Sequence, residues 1–271
     1  MMLRTLRSPS RWIWTAPVLA AGLFAACESS LDLGSQQGIW GFVTVSATKS
    51  PTGTNFTAPE GLFFHGNLSA VPNADFAFDT FADGVFSEGN NLTGVTYLDA
   101  GNAVETVVSG VTGSLNRVTT SNGTAYQPSA AFLYNPGDSI VVRVPGVTGG
   151  FPNGEIRAKT AEPFAFPQIS VPAGTSAIQL GWTAPQGPNS ALIVSLRYAT
   201  TSAPNVLGRH VLCTFIDDGV DSIPFRWHQT WSASSGVRAV VATRLRTHYV
   251  PAGQGNLGVV STYQVPTPPH P

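Results

Sequence analysis

Short runs of alternating apolar and polar residues recur about every ten residues along this chain and constrain its fold more than any other feature. Successive residues of a β-strand point to opposite faces of a sheet, so a period of two indicates strands that bury one face. Clusters of Gly, Pro, Asn and Asp separate the runs, and these residues favour turns. In the first half, no segment keeps a helical period for about ten residues. The pattern predicts an all-β protein.

The candidate strands fall into two groups on either side of a proline-rich stretch at 163–167. The first group comprises 39–46, 62–65, 75–81, 94–98, 104–109, 115–119, 131–134, 139–144 and 155–159. The second comprises 168–171, 177–183, 191–199, 210–216, 222–227, 236–248 and 258–265. We therefore predict two antiparallel β-sandwich domains, at 38–163 and 164–265. The proline-rich end, 266–271, is predicted to be an extended tail.

The second group has the strand number and spacing of an immunoglobulin-like sandwich. Its segment 178–185 alternates around Trp182 and ends at Pro185, and the following strand ends at Tyr198. These residues resemble the start of a fibronectin type III domain, in which such a strand carries a buried Trp. The resemblance implies a sandwich that serves for spacing or binding, although a fold alone does not assign a function.

The N-terminus has the layout of a secretory signal peptide. Arg4, Arg7 and Arg11 precede an apolar run at 12–24, and two alanines follow directly before Cys27. A basic start, a short apolar stretch and small residues before the cleavage point are typical of export signals. The sequence thus predicts an exported protein.

The segment that ends at Cys27 resembles a bacterial lipobox. The resemblance implies a signal peptide at 1–26, a lipid on the Cys27 thiol and a lipidated tether at 27–37. It also implies a membrane attachment through the N-terminal lipid in the bacterial cell envelope. Because Glu28 is not the Asp that favours retention at the inner membrane in this family, the outer membrane is preferred. An ordinarily cleaved signal peptide is the alternative.

Charge is scarce and unevenly distributed. Charged residues make up 11% of the chain, against roughly 25% in a typical soluble protein. Residues 28–165 contain 12 acidic and 5 basic residues, a net charge of −7, and residues 166–271 contain 3 and 6, a net charge of +3. This difference is consistent with electrostatic attraction between the two halves or with binding of the second half to an anionic surface. Neither half is basic enough to predict nucleic-acid binding.

One strand and the segment before it supply the candidate ligand-binding residues. The alternation at 236–248 places Arg238, Arg244, Arg246 and His248 on one face, which predicts an outward basic strip. Arginine pairs well with carboxylates and phosphates, so the strip would suit an anionic polysaccharide. Trp231 lies among polar residues and could stack on a sugar ring. A solvated face and a core Trp are the alternatives.

The sequence contains only weak indications of a metal or cofactor site. Asp217, Asp218 and Asp221 could offer oxygen ligands to calcium, although a hairpin turn between the strands at Phe215 and Ile223 explains them as well. No Walker loop, dinucleotide-binding fingerprint or H-E-x-x-H zinc motif occurs, and we predict no cofactor. Cys213 alternates with apolar neighbours and is predicted to be a buried small hydrophobe.

Together these features predict a non-catalytic, lipid-anchored cell-envelope protein that serves as a binding or spacer module for polysaccharide or another envelope protein. Two alternatives stay open. One is an envelope glycan hydrolase whose carboxylate pair has no sequence signature, with Asp75 and Glu105 as examples. The other is a structural subunit of a surface assembly.

Overall fold

The computed structural model describes residues 37–67, 79–85, 95–120, 123–128, 133–188 and 190–267, and β-strands form most of these residues. The predicted signal peptide, Cys27, most of the tether and Asp75 lie outside the described residues, as do the last four residues of the predicted tail.

The strands of the first half are β1 (Gln37–Ser50), β2 (Gly53–Asn67), β3 (Thr80–Val85), β4 (Thr96–Tyr97), β5 (Ala103–Val108), β6 (Val111–Thr120), β7 (Gly123–Pro128), β8 (Ser139–Val144) and β9 (Gly154–Lys159). The second half contains β10 (Ile178–Gly181), β11 (Ser190–Thr200), β12 (Ala203–Ile216), β13 (Val220–Ile223), helix α1 (Phe225–Ala233), β14 (Arg238–Ala252) and β15 (Gly255–Pro266). The all-β prediction is confirmed.

Two sheets contain the described strands. The large sheet has the order β3-β12-β11-β14-β15-β1-β2-β7-β6-β5-β8-β9, with β4 beside β2, and β10 pairs with β13 in a small sheet. The pairs are antiparallel except that β1 runs parallel to β15. The prediction of wholly antiparallel sheets is wrong for this pair. Parallel neighbours need a long connection, and here the whole intervening chain provides it.

The large sheet crosses the predicted boundary between 38–163 and 164–265. β1 pairs with β15 from Ile39 to Thr48, and β3 pairs with β12 although it lies within the first range. After β3 the chain returns to the other side of the sheet, where Tyr97 pairs with Phe64 of β2. The described residues belong to one compact unit, Leu33–Pro271. The predicted boundary therefore does not separate two sheets.

Apolar side chains on the inner face of the large sheet form a continuous core. In the first half, Phe63 packs edge-on against Tyr126 with ring centroids 5.2 Å apart, and also against Phe151 at 4.8 Å. In the second half, Phe215 packs against Trp182. These residues belong to one cluster of buried side chains that spans both halves. The two halves therefore share a core as well as a sheet.

Helix α1 replaces part of a predicted strand at 222–227. The strand β13 ends at Ile223, and Pro224 adopts φ −60° before the helix begins at Phe225. Proline cannot donate a ladder hydrogen bond, and its fixed φ suits the first residues of a helix. The strand prediction therefore fails beyond Pro224. The predicted strand at 168–171 is also absent, because this stretch has no regular structure.

The segment from Asp217 to Gly219 connects the two sheets. The preceding strand β12 pairs with β11 and β3, whereas the following strand β13 pairs with β10. The predicted hairpin turn between Phe215 and Ile223 is thus wrong. Gly219 has φ +105°, a conformation that L-residues rarely adopt, and this permits the sharp change of direction between the sheets.

Candidate functional site

Arg244, predicted to face outward on β14, is fully buried. Its Nε donates to Asp217 Oδ2 at 2.7 Å and its Nη2 donates to Asp217 Oδ1 at 3.1 Å. Nη2 also donates to the carbonyl oxygen of Thr183, and the guanidinium lies 4.8 Å from the centre of the Phe164 ring. A bidentate pair of this kind compensates the charges of a buried carboxylate and a buried guanidinium.

Arg246 is also buried, next to Arg244. Its Nη2 lies 3.0 Å from Glu162 Oε2. Glu162 Oε1 accepts a hydrogen bond from the Gln186 backbone N–H at 2.8 Å and lies 4.0 Å from Arg244 Nη1. We name Glu162, Asp217, Arg244 and Arg246 the internal ion-pair cluster. It fastens the connection between β9 and β10 to the large sheet.

The other two residues of the predicted basic strip are half-buried. Arg238 Nη1 donates to the Ser232 carbonyl at 3.0 Å, and its guanidinium lies 5.4 Å from the Trp231 ring centre. His248 lies near the far end of β14, paired in register with Val259. The predicted outward basic strip is therefore wrong. The alternation on β14 was assigned correctly, but the face with the arginines points into the protein, where acidic partners from distant segments meet it.

Trp231, predicted to be an exposed sugar platform, is fully buried on α1. Its Nε1 donates to the Arg197 carbonyl at 3.1 Å. On the same helix, His228 is buried between the Ser232 hydroxyl, 2.8 Å from Nδ1, and the Ser176 carbonyl, 3.0 Å from Nε2. These contacts hold the helix against the sheet and leave Trp231 no surface for a sugar. The prediction is wrong because the segment is a helix rather than a strand and loop.

The three aspartates considered for calcium have separate hydrogen-bond partners. Asp217 is occupied by Arg244 and by the Trp182 indole, whose Nε1 donates to Oδ1 at 2.7 Å. Asp218 Oδ1 accepts from the Val220 N–H at 3.2 Å, and Asp221 Oδ1 accepts from the Ser222 N–H at 2.6 Å. Among the described residues, no group of three or more His, Cys, Asp or Glu side chains is arranged to hold a metal ion.

Asp221 nevertheless has a perturbed carboxyl group. Partial burial is the main cause that raises its pKa, and the negative charges of Asp79 and Asp218 raise it further. The hydrogen bond from the Ser222 N–H acts in the opposite direction. The local environment thus disfavours ionisation of Asp221.

A group of exposed polar side chains lies close together on three other strands, β5, β6 and β8. The residues of β5 alternate between buried and half-buried, so that Val104, Thr106 and Val108 face the core and Glu105 faces outward. In register, Glu105 lies opposite Ser114 of β6 on one side and opposite Arg143 of β8 on the other. Three polar side chains from adjacent strands therefore form a row across the outer face.

This row lines an open groove of about 540 Å³. The lining residues are Ala103, Glu105, Thr112, Gly113, Ser114, Arg143, Val144 and Pro145. We name it the outer groove. It combines hydroxyl groups, one carboxylate and one guanidinium with small apolar side chains, a mixture suited to a polar ligand that also presents C–H surface.

Ion pairs hold the charged side chains of the outer groove. Arg143 pairs through Nη1 with Glu105 Oε1 and through Nε with Glu155 Oε2, the latter at 2.7 Å. Arg157 Nη2 lies 3.1 Å from Glu155 Oε1. Because Arg143, Glu105 and Glu155 are each more than 40% exposed, such pairs contribute little to stability and can rearrange around a ligand.

The pKa of Glu155 is lowered, chiefly by its hydrogen bond with Arg143, and Arg157 lowers it further. The pKa of Arg143 is raised in turn, first by Glu155 and then by Glu105. Glu155 is thus held in its ionised form at neutral pH. A general acid for glycan cleavage needs the opposite shift.

Sequence reasoning named Glu105 but missed Ser114, Arg143 and Glu155 as its neighbours. The alternation in β8 and β9 could have shown that Arg143 and Glu155 point away from the core. It could not show that β8 pairs with β5, since strand order depends on contacts between distant segments. The location of the site depends on which strands pair with one another, and a single sequence does not reveal this.

No family model matches the chain, and no curated protein is significantly similar to it. Of the helical segments within the described ranges, none has the length and apolar character needed to span a membrane. The geometry of the outer groove and the pattern of the N-terminus therefore carry the functional argument.

Proposed function

We propose that the chain is a lipid-anchored protein of the bacterial cell envelope that binds polysaccharide without cleaving it. The outer groove is the observation that carries this proposal. It is open, and its polar side chains come from three adjacent strands. A row of side chains on a sheet can contact successive units of an extended polymer without the cost of ordering a loop.

A binding role fits the chemistry of the groove better than cleavage. Glycan hydrolysis requires a protonated carboxyl group beside an ionised one. Both carboxylates next to Arg143 are ion-paired to it, and the pKa of Glu155 is lowered. An ionised Glu155 accepts hydrogen bonds from hydroxyl groups but is a poor proton donor.

The anchor in this proposal is the lipid on Cys27, based on the lipobox resemblance of the segment before it. A tether of this length, 27–37, can reach up to about 35 Å when extended. That reach would hold the protein near the membrane. The position of Glu28 directly after Cys27 favours the outer membrane.

Two variants on β6 test the proposal with a matched control. Thr112→Trp places an indole in the outer groove, whereas Thr119→Trp adds the same side chain at another exposed position of the strand. Retention on a panel of immobilised polysaccharides is measured for both variants and for the unmodified protein. We expect Thr112→Trp to lose retention and Thr119→Trp to keep it.

Equal retention of both variants would contradict the assignment of the groove. Absence of retention on every polymer would contradict polysaccharide binding itself. Capture of another envelope protein by the unmodified chain would then favour a spacer or structural role.

A further inference from the structure

We infer that the outer groove recognises a neutral polysaccharide rather than an anionic one, an inference that rests on the proposed function. Its basis is the arrangement of charges around Arg143, together with the internal location of the two arginines that were expected to attract anions.

The charge of the groove is compensated within the protein. Arg143 contacts Glu105 and Glu155, and Arg157 contacts Glu155 on its other side. Two carboxylates thus face two guanidinium groups. An anionic sugar approaching Arg143 would meet Glu105 and Glu155 at short range, and like charges at short range repel.

The remaining lining suits hydroxyl groups and C–H surface. Thr112 and Ser114 offer hydroxyls on the β6 side, and Ser114 already donates to Asn116 Oδ1 at 3.3 Å. Glu105 can accept hydrogen bonds from sugar hydroxyls, and bonds to a charged acceptor are stronger than neutral ones. Ala103 and Pro145 present small apolar surfaces in the same groove. A neutral sugar offers both kinds of partner.

Arg244 and Arg246 of β14 do not add positive charge to the protein surface. Arg244 is fully buried against Asp217, and Arg246 is buried against Glu162. Removing a guanidinium from such a pair to bind an external anion would leave a buried carboxylate unpaired, which is strongly unfavourable. Arg244 and Arg246 are therefore not available for the anion recognition expected of the predicted basic strip.

The test uses the full-length lipidated chain in detergent micelles. Binding to two neutral polymers, dextran and galactomannan, and to two anionic ones, alginate and pectate, is measured at low and high salt. We expect retention on a neutral polymer that changes little with salt, since few ions are released on binding.

Glu105→Gln removes one negative charge and keeps the shape of the side chain. We expect it to weaken neutral binding about tenfold, because the charged acceptor is replaced by a neutral amide oxygen, which forms weaker hydrogen bonds. It should also create salt-sensitive retention on alginate, because Arg143 is then only partly compensated. Asp218→Asn, which changes an exposed carboxylate outside the groove, is the matched control. Ser114→Val is a second groove variant that leaves the charges unchanged and should also weaken neutral binding.

Salt-sensitive binding of the unmodified chain to alginate or pectate, without binding to neutral polymers, would overturn the inference and leave the proposed function intact. Binding to none of the four polymers would overturn both. Neutral binding that Glu105→Gln and Ser114→Val leave unchanged would overturn the assignment of this ligand to the outer groove.

Discussion

At the scale of single residues, burial decides which charged groups can act outside the protein. Arg244 and Arg246 alternate correctly along β14, yet their guanidinium groups meet Asp217 and Glu162 in the interior. Sequence alternation predicts that two faces exist but does not identify the buried one when both contain apolar residues. The acidic partners come from segments far away in the chain, so no local pattern could have revealed them.

Arg244→Met tests the internal ion-pair cluster. The substitution keeps much of the side-chain volume but leaves Asp217 buried without its main partner. We expect the free energy of unfolding to fall by about 3 to 5 kcal/mol, measured by urea denaturation. Arg157→Met, at an exposed arginine, should change it by less than about 1 kcal/mol. Similar losses for the two variants would contradict the assigned burial of Arg244.

Asp99 links stability to pH. Its pKa is lowered mainly by the hydrogen bond from the Gly101 N–H, with smaller contributions from Tyr126 and Arg117. A carboxyl whose pKa is lower in the folded state stabilises the fold above its unfolded pKa, about 4. This contribution is lost as the pH falls through the folded pKa.

Asp99→Asn should therefore reduce stability at pH 7 and flatten its decline as the pH falls below about 4. Because the side chain is partly exposed, we expect a difference of less than about 1 kcal/mol. Urea denaturation across this pH range measures it. Parallel pH curves for the variant and the unmodified protein would contradict the contribution of Asp99.

At the scale of single elements, strong alternation of apolar and polar residues predicted which strands exist better than it predicted where they begin and end. Strand β8 has the predicted bounds, and β5 shows the predicted alternation of burial. Helix α1 was missed because it is only nine residues long and follows directly on a strand. Its position depends on contacts made by His228 and Trp231 with distant backbone carbonyls, which are tertiary rather than local.

Substitutions of Trp231 test whether α1 has a structural role. Trp231→Ala should lower the free energy of unfolding by about 3 to 5 kcal/mol, because it leaves a large cavity. Trp231→Phe should cost less and give a protein that folds at 25 °C. Calorimetry measures stability, and polysaccharide retention is measured on the folded Trp231→Phe protein. Loss of retention in that variant without loss of structure would restore Trp231 as a binding residue.

At the scale of the whole molecule, the sheet joins segments that the sequence separates. The parallel pairing of β1 with β15 and the excursion of β3 to β12 place strands from both halves in one sheet. Composition and turn spacing predicted a domain boundary at the proline-rich stretch. They could not reveal pairing between its two ends, because the pairing of distant strands leaves no periodic signal.

Because strands of both halves pair within one sheet, we predict that the described halves unfold together. We expect one calorimetric transition whose calorimetric enthalpy equals its van't Hoff enthalpy, the criterion for a two-state change. Separately expressed fragments 38–163 and 164–265 should not form stable folds, because each loses the strands that the other provides. Two resolved transitions, or a folded fragment, would show that the halves are thermodynamically independent.

Nuclear magnetic resonance mapping of a bound neutral polysaccharide tests the central claim most directly. On titration of the folded protein, we expect the backbone amide shifts to change around Glu105, Ser114 and Arg143, on the three strands that form the outer groove. Changes centred instead on β14 or α1, with the outer groove unaffected, would contradict the location of the binding site.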